Sequence, residues 1–343
     1  MTAPALAAEQ PLRVRLVCAQ GRVRRVDAAW RRLPVEQLWI GQPAQAIEPV
    51  LRRTLTICVQ AHIGAARQAV RAAGKGPHED AAQASDAAIR LEAARDTLRR
   101  WLLDYPRAFG GAWPADALAQ WKDLRDAATL AAWCHAHVFG LAAQDWLALD
   151  DAALNAWIEA GTALPARWLG RGLAAPLRRQ SLPAAADLPA WAGAHAGELL
   201  QGGAPQPAPP HAWGDAPPAG RDLPSALLLH RLRQLARACI GGAGASEQGG
   251  FNRDGIGIGW ARTARGLLLH LARIEQGRVR AWRILPPTLW NAAPQGVLAG
   301  ALQGLAADDA ARCAGQLLLL LDPCAPFELA LDAATDTGSV NHA

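Results

Sequence analysis

The residues best suited to binding chemistry lie at two places far apart in the chain. Cys58 and His62 stand one helical turn apart, a spacing that puts both on one face if the segment is a helix. A thiolate and an imidazole can together ligate a soft metal centre, and Cys324 adds a third donor if the two ends of the chain meet. The same pair also reads as core packing, because a free cysteine behaves as a small hydrophobe. Near the other end, Gly257, Gly259, Arg262, Arg265 and Gly266 precede Pro286-Pro287-Thr288-Leu289-Trp290-Asn291 and then Asp322-Pro323-Cys324. A glycine-flanked loop offering an arginine, with a cysteine beside a proline, suits an anionic or metal-bound group.

Other chemistries find little support. Gly255-x-Gly257-x-Gly259 lacks the preceding strand, following helix and downstream acid of a dinucleotide loop. His135 and His137 point apart on a helix, while His230 and His270 read as isolated residues. No Ser-His-Asp set or carboxylate pair emerges. Cys18, Cys134, Cys239 and Cys313 form no Cys-x-x-Cys pair and read as buried thiols of a reducing cytoplasm. The net charge of +5 is spread along the chain and forms no basic arm, so no nucleic-acid partner is expected. Met1 to Gln10 lack the pattern of a secretion signal, and no apolar run is long enough for a membrane span, so the expected location is cytoplasmic.

The elements that must position these residues read as a helix-dominated α+β fold. The 343-residue chain, rich in Ala, Leu and Arg, favours helix and can bury a sizeable core. Alternation around Gly21 predicts a hairpin over about 12–30, and alternation around Gly277 predicts another over about 267–285. Positions 55, 58, 62 and 65 recur at helical spacing, which puts Cys58 and His62 inside one helix. Further helices are expected at 89–103, 115–139, 144–160, 188–200, 225–239 and 297–321, with Pro165, Pro176 and Pro183 as breaks. The stretch 241–259 reads as a glycine-rich loop, and the Pro/Gly-rich stretch 202–224 as a surface connection within a single domain spanning 1–343.

Read in order, these pieces resemble the large subunit of nickel–iron hydrogenases, and more closely the related HupK/HoxV-type hydrogenase expression/formation proteins. The large subunit's Gly-x-Gly and Glu-Ala-Pro-Arg-Gly motifs are matched by Gly257, Gly259 and Arg262-Thr263-Ala264-Arg265-Gly266. Its Val-Pro-Thr-Thr-Trp-Asn is matched by Pro286 to Asn291, with Pro294 also in place. Its terminal Asp-Pro-Cys-x-x-Cys-x-x-His is matched by Asp322 to Ala330. The weaker N-terminal match sets Arg-x-Cys-x-x-Cys-x-x-x-His against Arg53 to His62, and Asp104-Tyr105-Pro106 resembles a helix end of the assembly proteins.

The resemblance implies the large-subunit fold, and its departures shape the expected function. Of four metal-holding cysteines only Cys58 and Cys324 remain, with Leu55 and Phe327 at the other two positions. Nickel binding is therefore not expected, nor is hydrogen turnover, since Arg262 stands for the motif's glutamate and Ala330 for its terminal histidine. The implied role is a non-catalytic maturation scaffold that transiently holds an Fe(CN)2CO unit through Cys58 and Cys324. Arg265 would lie beside a cyanide, with His62 as a further ligand or hydrogen-bond donor. The implied partners are hydrogenase maturation proteins and the hydrogenase large subunit. The alternative is a metal-free interaction module that mimics the large subunit.

Overall fold

The computed structural model describes residues 10–74, 81–171, 177, 188–202, 222–241, 246–294 and 296–333. It is predominantly helical with two small sheets. The N-terminal strands β1 (Leu12–Ala19) and β2 (Arg22–Ala29) form the expected hairpin. Next come α1 (Ile47–Thr54), α2 (Val59–Ala72), α3 (Ala81–Leu103), α4 (Tyr105–Phe109), α5 (Ala115–Gln120) and α6 (Ala127–Cys134). After a π-helical turn at His135–Phe139 follow α7 (Ala143–Leu147), α8 (Asp151–Ala160), α9 (Leu164–Arg171), α10 (Leu188–Ala194), α11 (Ala196–Leu200) and α12 (Leu223–Ile240). A four-stranded antiparallel meander comprises β3 (Gln248–Arg253), β4 (Ile256–Thr263), β5 (Gly266–Glu275) and β6 (Arg278–Leu285). The chain ends with α13 (Pro287–Asn291), α14 (Val297–Leu302), α15 (Ala307–Leu321) and β7 (Phe327–Ala333). Strand β7 pairs in parallel with β1, opposing Phe327 to Leu12.

The meander is covered on both faces, which explains why β5 is almost wholly buried. Successive side chains of a strand point to opposite faces. Leu268 and Ala272 accordingly join the core under α1 and α2, whereas Leu267, Leu269 and Leu271 join a separate core with Ala192, Leu199 and Trp290. A third and larger core gathers the remaining helices and the N-terminal sheet.

Four expectations need correction. Helix does not run through Leu55 and Cys58: α1 stops at Thr54, and Cys58 is the residue before α2. Within 241–259, Gly249, Gly250, Gly257 and Gly259 belong to strands β3 and β4 instead of a loop. A Cβ at Gly257 would lie 2.0 Å from the Ala69 carbonyl, and one at Gly259 2.0 Å from that of Ala65. These glycines let β4 pack directly against α2, where Ala61, Ala65 and Ala69 are buried. Pro165 does not break a helix but lies in the first turn of α9, where a missing N–H costs little. The expected helices at 115–139, 144–160, 188–200 and 297–321 are each divided, the first where Asp126 and Thr129 form a capping box that starts α6.

Of the Pro/Gly-rich stretch, 203–221 lie outside the described residues, while Leu223 and Pro224 are buried in the first turn of α12. No described helix is long and apolar enough to cross a membrane.

Candidate functional site

The break between α1 and α2 shapes one side of the site. Cys58 adopts left-handed backbone geometry (φ 54°) at the N-cap of α2, and its side chain does not cap the helix. Glu92 of α3 does so instead, its carboxylate accepting from the Gln60 N–H at 3.0 Å and the Ala61 N–H at 3.2 Å. An anion at a helix N-terminus is favourable. Burial nevertheless raises the Glu92 pKa, against the lowering effect of those amides. One turn further along α3, Asp96 faces Cys58 with 4.0 Å between oxygen and sulfur.

The other side is the two-residue turn between β4 and β5. Thr263 Oγ1 accepts from the Arg265 N–H at 3.0 Å and donates to the Gly266 carbonyl at 2.8 Å, while Asn291 donates to the Arg265 carbonyl at 3.3 Å. The guanidinium, only 1% exposed, thereby enters the interior. Its Nη1 lies 3.1 Å from Cys58 Sγ and 2.7 Å from Asp96, and its Nη2 lies 3.1 Å from Asp322. Burial opposes the charge on Arg265, yet Asp322, Cys58 and Asp96 hold its pKa well above the ordinary value. Its carboxylate partners are thus built into the fold, contrary to the expectation of an arginine awaiting an anion. Its Nε still has no hydrogen-bond acceptor among the described residues.

Asp322 is fully buried at the C-terminal end of α15 in left-handed geometry (φ 50°). It also pairs with Arg100 of α3 and lies 3.9 Å from Arg231 of α12. Two residues on, Cys324 Sγ lies 3.1 Å from Thr288 Oγ1, which also accepts from the Cys324 backbone N–H at 3.1 Å. Burial pushes the Cys58 thiol far up, Arg265 pulls it down, and Asp96, Glu92 and Cys324 push it up again. Cys58, Asp96 and Asp322 thus meet on the Arg265 guanidinium, and Cys324 follows Asp322 by two residues.

His62 is engaged elsewhere. Its Nδ1 lies 2.9 Å from His270 Nε2, and Trp282 Nε1 donates to His270 Nδ1 at 3.2 Å. An indole only donates, so neutral His270 carries its proton on Nε2 and gives it to His62 Nδ1, which leaves the His62 proton on Nε2. Burial, with help from Arg32, lowers the His62 pKa from 6.5 to about 3, and burial with His62 lowers that of His270. Folded His62 stays neutral where the unfolded residue takes up a proton. Its stabilising contribution is therefore complete above pH 6.5 and lost as pH falls toward 3. Urea titration at pH 7 and pH 5 should show a loss of about 2 kcal/mol attributable to His62. A His62→Gln/His270→Gln variant should lack this component, and an unchanged pH dependence would refute it.

The two vacated cysteine positions are occupied by packing: Leu55 lies against the core under α2, and Phe327 against the largest core. Cys18, Cys134, Cys239 and Cys313 are buried free thiols. Among the described residues, no three His, Cys, Asp or Glu side chains converge as a preformed metal site. Glu92, Asp96, Thr288 and His270 were not anticipated from the sequence as partners of the candidate site residues. Only His270 carried a usable signal, because it is in phase with Leu268 and Ala272 on the face of β5 that meets α2.

No family model matches the chain. Over 77 residues it is 44% identical to the hydrogenase expression/formation protein HupV of Azotobacter chroococcum, covering 22% of each chain. Over 96 residues it is 40% identical to HoxV, a hydrogenase expression/formation protein of Cupriavidus necator, covering 26% of this chain and 24% of that one. The matches thus span about a quarter of these relatives' lengths. In three dimensions the likeness is broader. An NAD+-reducing [NiFe]-hydrogenase in the H2-reduced state superimposes with a TM-score of 0.55 at 14% identity, over 89% of this chain and 93% of that one. A Ni-Fe-Se hydrogenase from D. vulgaris Hildenborough gives 0.52 at 11% identity, over 90% and 94%. Over about a quarter of its length the chain is therefore similar to the HupV and HoxV hydrogenase expression/formation proteins, and it has the fold of the nickel–iron hydrogenase large subunit.

Proposed function

We propose that this protein is a non-catalytic scaffold in hydrogenase maturation, which takes an Fe(CN)2CO unit as transient cargo on Cys58 and Cys324. The observation that carries this reading is the contact between Arg265 and Cys58, with the same guanidinium held by Asp322, two residues before Cys324. Iron that arrives with its own cyanide and carbonyl ligands needs few protein donors, so a pair of thiolates suits it better than it suits nickel. Arg265 supplies donors for a cyanide nitrogen, and its unpaired Nε is one of them. With Nδ1 engaged by His270, His62 keeps only its Nε2–H for a role as hydrogen-bond donor on this reading. The exchange partners on this reading are hydrogenase maturation proteins and the hydrogenase large subunit, and exchange takes place in the cytoplasm.

A second reading, a metal-free interaction module, is favoured by one observation. Arg265 already has Asp96 and Asp322 as counter-charges without any cargo. Cysteine replacement separates the two. Cys58→Ala and Cys324→Ala should each lower the yield of active hydrogenase in a co-expressing host by at least about tenfold. Each should cost only about 1 kcal/mol of stability, as expected for a small side chain. Normal maturation with both variants would eliminate the scaffold reading and leave the interaction module.

A further inference from the structure

An open cleft of ≈ 620 Å³ lies beside Cys58, bordered by Thr56, Ile57 and Gln60 on one side and by α3 on the other. A second cleft of ≈ 460 Å³ adjoins it, and Arg99 and Trp121 line both. The first is lined by polar and apolar groups alike, whereas the second is walled chiefly by apolar groups, including Leu103 at 57% and Leu118 at 46% exposure. Each leaves about half of its surface in solvent, and two such side chains on one groove suit a contact surface.

The charge of the joined groove is one-sided. Arg95, Arg99 and Lys122 line it and form no ion pair among the described residues. The carboxylates of the first cleft are committed elsewhere, Glu92 to the amides of α2 and Asp96 to Arg265. No carboxylate lines the second cleft among the described residues. Such a surface fits a protein face that offers carboxylates around an apolar tip.

We propose that this groove between α3 and α5 is the docking surface for the protein that exchanges the iron unit, and that this partner presents an acidic face with an apolar side chain at its centre. The partner's role rests on the maturation reading above; the chemistry of its face rests on the groove alone. Leu103 and Leu118 receive the apolar tip, Arg95, Arg99 and Lys122 pair with the acidic rim, and the first cleft leads from the contact toward Cys58.

The test places a photo-cross-linking amino acid at Leu103 or Leu118 of the full chain, in cells producing hydrogenase and its maturation proteins. Exposed Ile240 and Leu331 serve as control positions. Cross-links to a hydrogenase or maturation protein, identified by mass spectrometry, are expected at 103 and 118 but not at 240 or 331. They should fall at least tenfold with Arg95→Glu/Arg99→Glu, whose melting temperature should match that of wild type, and with added salt. A Leu103→Asp/Leu118→Asp variant provides a second test that leaves the arginines intact. Cross-links that are absent, that join only copies of this chain, that reach some other protein or that withstand charge reversal would overturn the proposal. The outcome is separable from the fate of the cargo site. Cross-linking retained in Cys58→Ala, where that variant matures hydrogenase normally, would uphold the groove and remove the iron role, whereas cysteine-dependent maturation without cross-linking would do the reverse.

Discussion

Replacing Asp322 with alanine is expected to cost about 3–5 kcal/mol of folding stability, the penalty for leaving buried charges without their partner. Its carboxylate is fully buried, receives Arg265 and Arg100, and lies 3.9 Å from Arg231. Arg100 keeps Asp104, and Arg231 keeps the Leu320 carbonyl at 2.8 Å. Arg265, almost wholly buried, keeps Asp96 as its one carboxylate partner among the described residues. Asp322→Asn should cost less, since an amide preserves the shape and an acceptor oxygen. Urea unfolding of the two variants measures this directly, and a loss under about 1 kcal/mol for alanine would show the charges relaxing into solvent. Because Asp322 anchors the guanidinium that touches Cys58, the alanine variant should also lose cargo binding.

The second large effect is expected at Gly259. A Cβ there would meet the Ala65 carbonyl at 2.0 Å and the Ala69 nitrogen at 2.4 Å, both backbone atoms of α2 that cannot rotate away. Gly259→Ala must therefore push strand and helix apart, at about 3 kcal/mol, the upper end of overpacking costs. Gly315→Ala is the matched control: it lies inside α15 with nothing within 4 Å of the added carbon. It should be neutral or stabilising by up to about 1 kcal/mol, from helix propensity alone. Thermal melts of the pair distinguish close packing from a general intolerance of substitution, and equal melting temperatures would refute the packing argument. The displaced helix has Cys58 at its N-cap, so Gly259→Ala should also perturb the site.

These residues show what could be read from the sequence. Alternation around Gly21 and Gly277 identified two hairpins because each strand has a period of two and each turn a glycine at positive φ. The strands at 248–263 were missed because glycine is depleted in strands in general. Here Gly257 and Gly259 are required by the close approach of α2, a tertiary demand. Their alternation, matched to the helical spacing of Ala61, Ala65 and Ala69, was the available sign. Strand β7 alternates Phe327, Leu329 and Leu331, but nothing local indicates pairing with a strand from the opposite end of the chain.

The candidate site divides in the same way. Cys58, Arg265 and Cys324 emerged from motif order and the resemblance it carried; of these, the structure sets Arg265 against Cys58, while the Cys324 thiol lies against Thr288. Glu92 and Asp96 remained hidden because two acids at helical spacing usually mark a solvated face. What distinguishes them is the arrival of α2 and the β4–β5 turn against α3. His62 was assigned to the face of Cys58 because the helix was expected to begin earlier. Starting the helix at Val59 leaves Cys58 at its N-cap and sets His62 against His270.

The most direct measurement is infrared spectroscopy of the full-length protein, purified without oxygen from cells co-expressing the hydrogenase maturation machinery. Carbonyl and cyanide stretching bands are expected with wild type and should disappear with Cys58→Ala and with Cys324→Ala. Wild-type protein without such bands, or bands that persist in both variants, would contradict transport of an iron unit on these two thiolates.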